Sequence, residues 1–260
     1  TTVGQGINFL NVSDYVAWLW KANGGTTSSN GDGSKTSTVQ ANTTAGFSIV
    51  LYSGDTSSFT VGHGLNSAPE WVIVKTRTHS ERWTVFHTSI SNGYIYLNDT
   101  FALQTGNADE RFGNSTSVVV PNSTVVTLGA NQSDVSKNGE DYVMYCFHSV
   151  DGYSKFGIYT GNSSADGTFV YTGFRPAWLM VKKTTGADNW LIHDNARDPN
   201  NVVQKYLLAD SANVEASDDS VDFLSNGFKW RLNSGARNTS GQTYIYMAFA
   251  EQPFKFSNAR

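Results

Sequence analysis

The sequence predicts an all-β protein made of two tandem, internally repeated antiparallel β-sandwich units of jelly-roll type. Its 260 residues are enough for one large β domain or two of ordinary size. Aromatic residues make up 13% of the chain and charged residues only 15%. Aromatic and β-branched residues favour strands, and the abundant Gly, Asn and Ser favour turns, so this composition indicates many short strands.

A segment of about twenty residues occurs twice, which indicates an internal duplication. APEWVIVKTRTHSERWTVFHT at 68–88 resembles RPAWLMVKKTTGADNWLIHDN at 175–195, and Trp71 corresponds to Trp178. Each copy predicts a hairpin, because two apolar runs flank a polar loop. A hairpin cannot bury its aromatic face alone, so we expect the repeated Trp residues to lie in matching cores, each under its own sheet.

A second element recurs three times, as DYVAWLW, DYVMYCF and TYIYMAF at residues 14–20, 141–147 and 243–249. Its aromatic and β-branched residues predict a strand in each copy. The order of the copies indicates that one unit follows the other, with a strand shared or exchanged near 141–150.

These repeats set the predicted domain organisation. Residues 1–13 form an N-terminal extension, 14–140 the first β unit and 141–260 the second. The first unit is longer mainly because of residues 21–46, a tract rich in Gly, Ser, Thr and Asn that predicts an extended loop or arm.

Charge and hydropathy argue against two classes of partner. The net charge is −4 and no basic run interleaves with the aromatic residues, so we expect no nucleic-acid binding. The apolar stretches are about six residues long, far short of the ~20 that a membrane-spanning helix needs. Cys146 is the single cysteine, which excludes an intrachain disulfide framework.

The sequence offers no convincing catalytic group. Cys146 and His148 share one face of a predicted strand and could form a nucleophile–base pair. The repeat alignment, however, matches Cys146 with Leu19 and Ala248, which is typical of a small core residue. We therefore expect no enzymatic activity.

Metal binding is a weaker prediction. The five His residues show no zinc-ligand spacing. Asp194, Asn195 and Asp198 supply the hard oxygen ligands that calcium prefers, but Asp and Asn also serve ordinary turns by bonding their own backbone. Calcium is the one cofactor that the sequence suggests.

Several long motifs, including SKFGIYTGN at 154–162 and FLSNGFK at 223–229, point to a family. The chain resembles an uncharacterised tandem β domain found at the C-terminus of tail-fibre and other virion proteins of tailed phages, many of them marine. In such proteins the domain often follows a laminin-G-like jelly roll. The resemblance covers the chain from about Asp14 onward.

The resemblance implies a place in a phage particle and no catalytic residues. We expect a non-enzymatic virion protein, most simply a tail-fibre or surface-appendage module that contacts other virion proteins and attaches to a host-surface glycan. It would be a homo-oligomer, and a trimer if it is a fibre. The alternatives are a capsid decoration or cement protein and a polysaccharide-degrading enzyme domain, which would need two carboxylates at glycosidase separation.

Residues present in only one repeat are the candidates for ligand contact, because repeated positions are explained by folding. Contact with a glycan would use exposed aromatic and polar side chains in loops. The candidates are Tyr94, Tyr96, Asp109 and Arg111 in the first unit, and Arg197 and Asp198 in the second.

Overall fold

A computed structural model describes residues 15–252, and its regular structure is almost entirely antiparallel β. Strands account for 43% of the chain and helices for 3%, which confirms the predicted all-β class. The expected N-terminal extension, 1–13, lies outside the described residues.

Two sheets correspond to the two copies of the repeat. The first half, residues 15–150, contains β1 (Ser28–Asn30), β2 (Ser37–Asn42), β3 (Phe47–Ser53), β4 (Phe59–Gly62), β5 (Trp71–Thr76), β6 (Thr84–His87), β7 (Ile95–Tyr96), β8 (Val125–Leu128) and β9 (Asp141–Phe147). The second half, residues 151–252, contains β10 (Ser154–Thr160), β11 (Phe169–Tyr171), β12 (Pro176–Lys183), β13 (Leu191–Asp194), β14 (Val203–Leu208), β15 (Ala216–Leu224), β16 (Gly227–Trp230), a single helical turn α1 (Gly235–Asn238) and β17 (Thr243–Ala250).

The two sheets share one strand order. The first runs β1-β2-β3-β9-β5-β6-β7, and a separate two-stranded sheet of β4 and β8 covers it. The second runs β10-β17-β12-β13-β14-β15-β16-β11, with its last strands curled back over the first ones. The orders β3-β9-β5-β6-β7 and β10-β17-β12-β13-β14 are equivalent, so the duplication seen in the sequence is a duplication of strand topology.

The recurring element does not divide the chain as expected. β9 lies between β3 and β5, in register with both, and therefore belongs to the first sheet. A boundary between 140 and 141 would assign this strand to the second unit, whereas the pairing places the change of sheet near residue 150. The copy at 14–20 is not a strand over its described part, where Tyr15 and Leu19 are 55% and 90% exposed.

The expected loop or arm at 21–46 is also corrected by the structure. It contains β1 and β2, and β2 pairs with β3 from Thr38 to Asn42. Its polar composition misled because only Ser37 and Val39 in β2 are buried, so the hairpin needs few apolar residues.

Three cores stack through the molecule. The first lies between the first sheet and the two-stranded β4–β8 sheet, and the third lies within the curled second sheet. A central core lies between the two sheets and takes side chains from both halves, including Trp71, Ile73, Trp178 and Met180. The two halves are therefore joined by a shared face.

The repeated Trp residues lie in this shared core and not in two separate ones as expected. Trp71 is fully buried and Trp178 is 7% exposed. The side chains alternate along each strand, so Val72 and Val74 face the first core while Trp71 and Ile73 face the centre. Burial on both faces explains the continuous apolar run WVIV.

The segment before β1 covers one margin of the central core. The ring of Trp20 meets those of Trp178 and Phe249 edge to face, each with a centroid distance of 5.4 Å. Trp18 packs beside Trp178 at 6.1 Å. Residues at the start of the first half therefore complete the packing of the second half.

Candidate ligand-binding surface

The two tyrosines predicted to contact a ligand are core residues. Tyr94 is 5% exposed and Tyr96 is 6% exposed, and both belong to the first core. Their rings meet edge to face at 5.3 Å. The expectation of exposed rings is wrong, because a residue found in only one repeat can also reflect a core that is packed differently.

Arg111 packs at the margin of the same core, where it contacts a buried carboxylate and the Tyr94 ring. Its Nε lies 2.7 Å from Oδ2 of the buried Asp134, and its guanidinium lies 4.3 Å from the centre of the Tyr94 ring. Asp109 contributes its backbone carbonyl, which accepts a hydrogen bond from the Ser115 amide at 3.1 Å. The structure therefore brings Tyr94, Tyr96 and Arg111 together, but as an internal cluster.

The second predicted group is likewise built around an internal ion pair. Arg197 Nε lies 2.6 Å from Oδ2 of Asp194, which is 2% exposed. The Trp18 indole also donates to this carboxylate at 3.2 Å. Arg197 reaches Glu215 as well, at 2.9 Å, so its charge is shared between two carboxylates.

The residues suggested for calcium have protein partners. Oδ1 of Asp194 accepts backbone hydrogen bonds from Ala196 and Arg197 at 3.1 and 2.9 Å, as in an Asx turn. Asp198 accepts from the Gln204 amide at 2.7 Å, and Asn195 donates to Glu251 at 2.7 Å. Within residues 15–252 no group of three or more His, Cys, Asp or Glu side chains is placed to hold a metal ion.

Cys146 lies in the first core. It is fully buried, and burial raises the pKa of its thiol well above the usual range, which keeps it protonated at neutral pH. Its counterpart Ala248 is fully buried in the third core. His148 lies two residues on, where its Nδ1 is 2.9 Å from the Ser149 carbonyl oxygen.

Three further carboxylates, of the kind that a glycoside hydrolase would need, also have protein partners. Glu110 accepts from the Gln132 side chain at 3.0 Å, and Asp218 pairs with Arg237 at 2.8 Å. Asp219 accepts from the Gln204 side chain. Glu110 thus joins two loops, Asp218 joins β15 to α1, and Asp219 joins β15 to β14.

The most distinctive exposed feature lies on β11. Phe169 is 44% exposed and Tyr171 is 65% exposed, while Val170 between them is buried in the third core. Alternation along the strand therefore places both rings on the outer face of the curled sheet. The Phe169 ring lies against Gly227 of β16, where an added Cβ would come within 2.9 Å of it.

Charged pairs border the two rings. Lys229 is directly opposite Phe169 across the β11–β16 ladder, and its ammonium forms an ion pair with Asp166. A hydrogen bond from Lys229 lowers the pKa of the Asp166 carboxyl below its ordinary value. On the next strand Asp222 pairs with Arg231 at 3.5 Å. We call these residues the β11 surface: Phe169, Tyr171, Asp166, Asp222, Lys229 and Arg231.

The first half has no such surface. Thr60 and Gly62 hold the corresponding positions, since β4 pairs with β8 as β11 pairs with β16. The β1–β2 hairpin covers them: the Ser34 amide donates to the Thr60 hydroxyl at 2.7 Å, and the Asn30 side chain fills the space beside Gly62. The connection from β9 to β10 spans only residues 148–153, so the second half lacks this cover.

The sequence contained a signal for this surface. Phe-Val-Tyr at 169–171 is an apolar run in a turn-rich stretch, and its counterpart Phe-Thr-Val-Gly at 59–62 carries Thr and Gly at the matching outer positions. Phe169 and Tyr171 lie on an outer face where the first half has Thr60 and Gly62. The fold that the two halves share therefore does not require an aromatic ring at these positions. This comparison requires the correct strand register, which the structure supplies.

No helix within residues 15–252 is long and apolar enough to cross a bilayer. Neither a curated protein nor a solved structure matches the chain. One family model, described as a domain of unknown function, DUF7483, matches residues 2–253 and so spans nearly the whole sequence, and the chain belongs to that family.

Proposed function

We propose that this chain is a non-catalytic structural module of a phage virion, of the tail-fibre or surface-appendage kind, which attaches to a host-surface glycan through the β11 surface. The phage setting rests on the sequence resemblance. The observation that carries the attachment role is the pair of exposed rings, Phe169 and Tyr171, on a strand whose other face is buried.

The chemistry of the β11 surface suits a sugar. An aromatic ring offers a flat apolar face, and the tyrosine adds a polar group at its tip. Lys229, Asp166, Asp222 and Arg231 offer charged hydrogen-bonding groups beside the rings, matching the combination of apolar contact and a few placed polar groups that ligand sites use. β11 is paired with β16, so the rings are presented by a backbone that is already ordered.

The test is binding of the purified chain to an array of bacterial surface polysaccharides. Tyr171→Ala and Phe169→Ala should each weaken binding about tenfold or more, because each removes a ring that contacts the sugar. Val214→Ala is the matched control, since Val214 is 87% exposed and lies outside the β11 surface. Absence of glycan binding by the wild-type chain, or equal binding by all three variants, would reject the proposal.

A capsid decoration protein is the second candidate. The same exposed rings would then pack on another virion protein, as exposed apolar patches do. Loss of binding to isolated capsids in Tyr171→Ala, with no glycan bound by the wild-type chain, would favour this role over attachment to a host.

A further inference from the structure

Within residues 15–252, the second sheet ends in a long strand that no other strand covers. β10 has seven residues and pairs there with β17 alone, so it is an edge of this sheet. The other sheet edges in the described part of the chain, β1, β4, β7, β8 and β11, have between two and four residues each. Short edges are a common protection against unwanted strand pairing, and β10 lacks that protection.

The equivalent strand of the first half is covered. β3 occupies the position of β10, and β2 pairs along it in antiparallel register from Phe47 to Leu51. The second half contains no corresponding hairpin. The same change in the duplicated topology that exposes the β11 surface therefore leaves the β10 edge without its neighbour.

The outward backbone groups of β10 can be identified from its ladder. Gly161 donates to Gln242 and Ala250 donates to Tyr153, so the odd-numbered residues of β10 bond to β17 and the even-numbered ones point outward. Both backbone groups of Ser154 have partners within the chain: its amide donates to the Val150 carbonyl, and its carbonyl accepts from the Val150 amide.

Two further outward groups have side-chain partners. The Phe156 amide donates to Ser149 Oγ at 3.1 Å, and the Thr160 carbonyl accepts from Thr168 Oγ1 at 2.9 Å. Within residues 15–252, the groups left over are the Phe156 carbonyl, the amide and carbonyl of Ile158, and the Thr160 amide.

This remaining set is complementary to itself. We propose that two copies of the chain pair through β10 in antiparallel orientation, with Ile158 of one copy opposite Ile158 of the other. Each Ile158 amide then donates to the other copy's Ile158 carbonyl, and each Thr160 amide donates to the other copy's Phe156 carbonyl. In this register the Phe156 amide of each copy faces the Thr160 carbonyl of the other. These two groups need no bond across the interface, because each already has a side-chain partner within its own chain.

The side chains agree with this register. Ile158 is 44% exposed, and two copies of it would meet on the same face of the joined sheet. Lys155 would lie opposite Gly161, so no like charges face each other. The interface follows a two-fold axis and is therefore closed, with the same patch used by both copies. It differs from the trimer expected of a fibre and does not depend on glycan binding.

Sedimentation over a dilution series tests the pairing. The wild-type chain should show a species of twice 28.4 kDa that dissociates on dilution. Ile158→Lys should shift the chain to monomer, since it places two like charges directly opposite each other. Val214→Lys adds the same charge at another exposed apolar position and should leave the dimer intact. A wild-type chain that is only monomeric or trimeric, or equal loss of dimer in both variants, would overturn the proposal.

A cross-link reports the register directly. Opposite residues of a hydrogen-bonded antiparallel pair have Cα atoms about 5.5 Å apart and Cβ atoms about 4.5–5.5 Å apart, so two thiols at this position lie within reach of a short bis-maleimide reagent. Ile158→Cys should therefore form a covalent dimer with this reagent. Val214→Cys should not, and the buried Cys146 should not contribute. Failure of Ile158→Cys to cross-link under these conditions would exclude this register.

Discussion

Tyr159 stacks face to face on Tyr244, with ring centroids 5.0 Å apart and ring planes 10° apart. In the first half Tyr52 stacks on Tyr142 in the same way, at 5.4 Å and 15°. In each pair the two tyrosines lie opposite each other on neighbouring strands, near the end of one strand and the start of the other. Their hydroxyl groups point into the loop that precedes the last strand of that half. The duplication has therefore preserved more than an apolar core. We call each stacked tyrosine pair, with its hydrogen bonds to the loop, the clasp of that half.

Removing one hydroxyl from each clasp should cost a similar amount of stability. Tyr159 donates to the Arg237 carbonyl at 2.7 Å and Tyr52 to the Val135 carbonyl at 2.6 Å, both buried. Tyr159→Phe and Tyr52→Phe should each lower the free energy of unfolding by about 1–3 kcal/mol, because each leaves a buried carbonyl without its donor. Urea denaturation measures this. Tyr15→Phe, at a position 55% exposed, should change nothing, and unaltered stability in both core variants would contradict the role of the clasp.

A repeated glycine belongs to each clasp. Gly54 and Gly161 follow β3 and β10, and a Cβ added there would lie 2.1 Å from the Lys137 carbonyl oxygen and 2.3 Å from the Thr239 carbonyl oxygen. Gly54→Ala and Gly161→Ala should each destabilise the protein by at least about 1–3 kcal/mol through overpacking against backbone. Gly31→Ala is the control, because no atom lies within 4 Å of its added Cβ. Thermal melting that ranks Gly31→Ala with the other two would show that the contact does not matter.

The features that the sequence predicted well are those repeated at short range. Trp71 and Trp178 could be recognised as equivalent from the sequence repeat, and in the structure both are buried on the same face of equivalent strands. Tyr52 and Tyr159 precede matching glycines in the same way. Local repetition records positions that both halves need for folding.

Two features depend on contacts between distant segments and could not be predicted. β9 inserts between β3 and β5, a pairing that strand propensity does not specify. The shared central core arises because both faces of each sheet are apolar, and the sequence does not say which face meets the other half. Tyr94 and Tyr96 show the same limit for the site, because absence from one repeat does not distinguish a core residue from a ligand contact.

The shared core predicts that damage on one side spreads to both halves. Trp190 is fully buried, and the centre of its ring lies 6.0 Å from the centre of the Trp71 ring. Its indole N–H donates to the Tyr96 carbonyl at 2.8 Å. Trp190→Ala should lower the free energy of unfolding by about 3–5 kcal/mol and reduce amide protection from hydrogen exchange in both halves.

Trp230→Ala provides the contrast for this measurement. Trp230 is equally buried but belongs to the third core, which takes its side chains from the second half only. Its loss should reduce protection mainly in the second half. Equal patterns of exchange in the two variants would show that the central core does not couple the halves in this way.

Lys182 gives a prediction for pH. It is fully buried, and its ammonium donates to the Thr100 carbonyl at 3.1 Å and the Asp188 carbonyl at 2.8 Å. Burial lowers the pKa of Lys182 to about 8, from 10.5 in the unfolded chain. Between these values the unfolded chain binds a proton that the folded chain has lost, so Lys182 by itself raises the free energy of unfolding with pH, by up to about 3 kcal/mol over the full interval.

The rise should be visible between pH about 8 and about 9, before Cys146 and the tyrosines of the unfolded chain ionise and reverse the trend. Burial raises the pKa of Cys146, Tyr52 and Tyr159 in the folded state, so their ionisation on unfolding opposes stability at higher pH. Lys182→Met should abolish the rise, whereas Lys75→Met, at the equivalent and partly exposed position of the first half, should retain it. Urea denaturation at several pH values separates these cases, and the same pH dependence in the wild-type chain and in Lys182→Met over this interval would mean that Lys182 enters the folded state at no electrostatic cost.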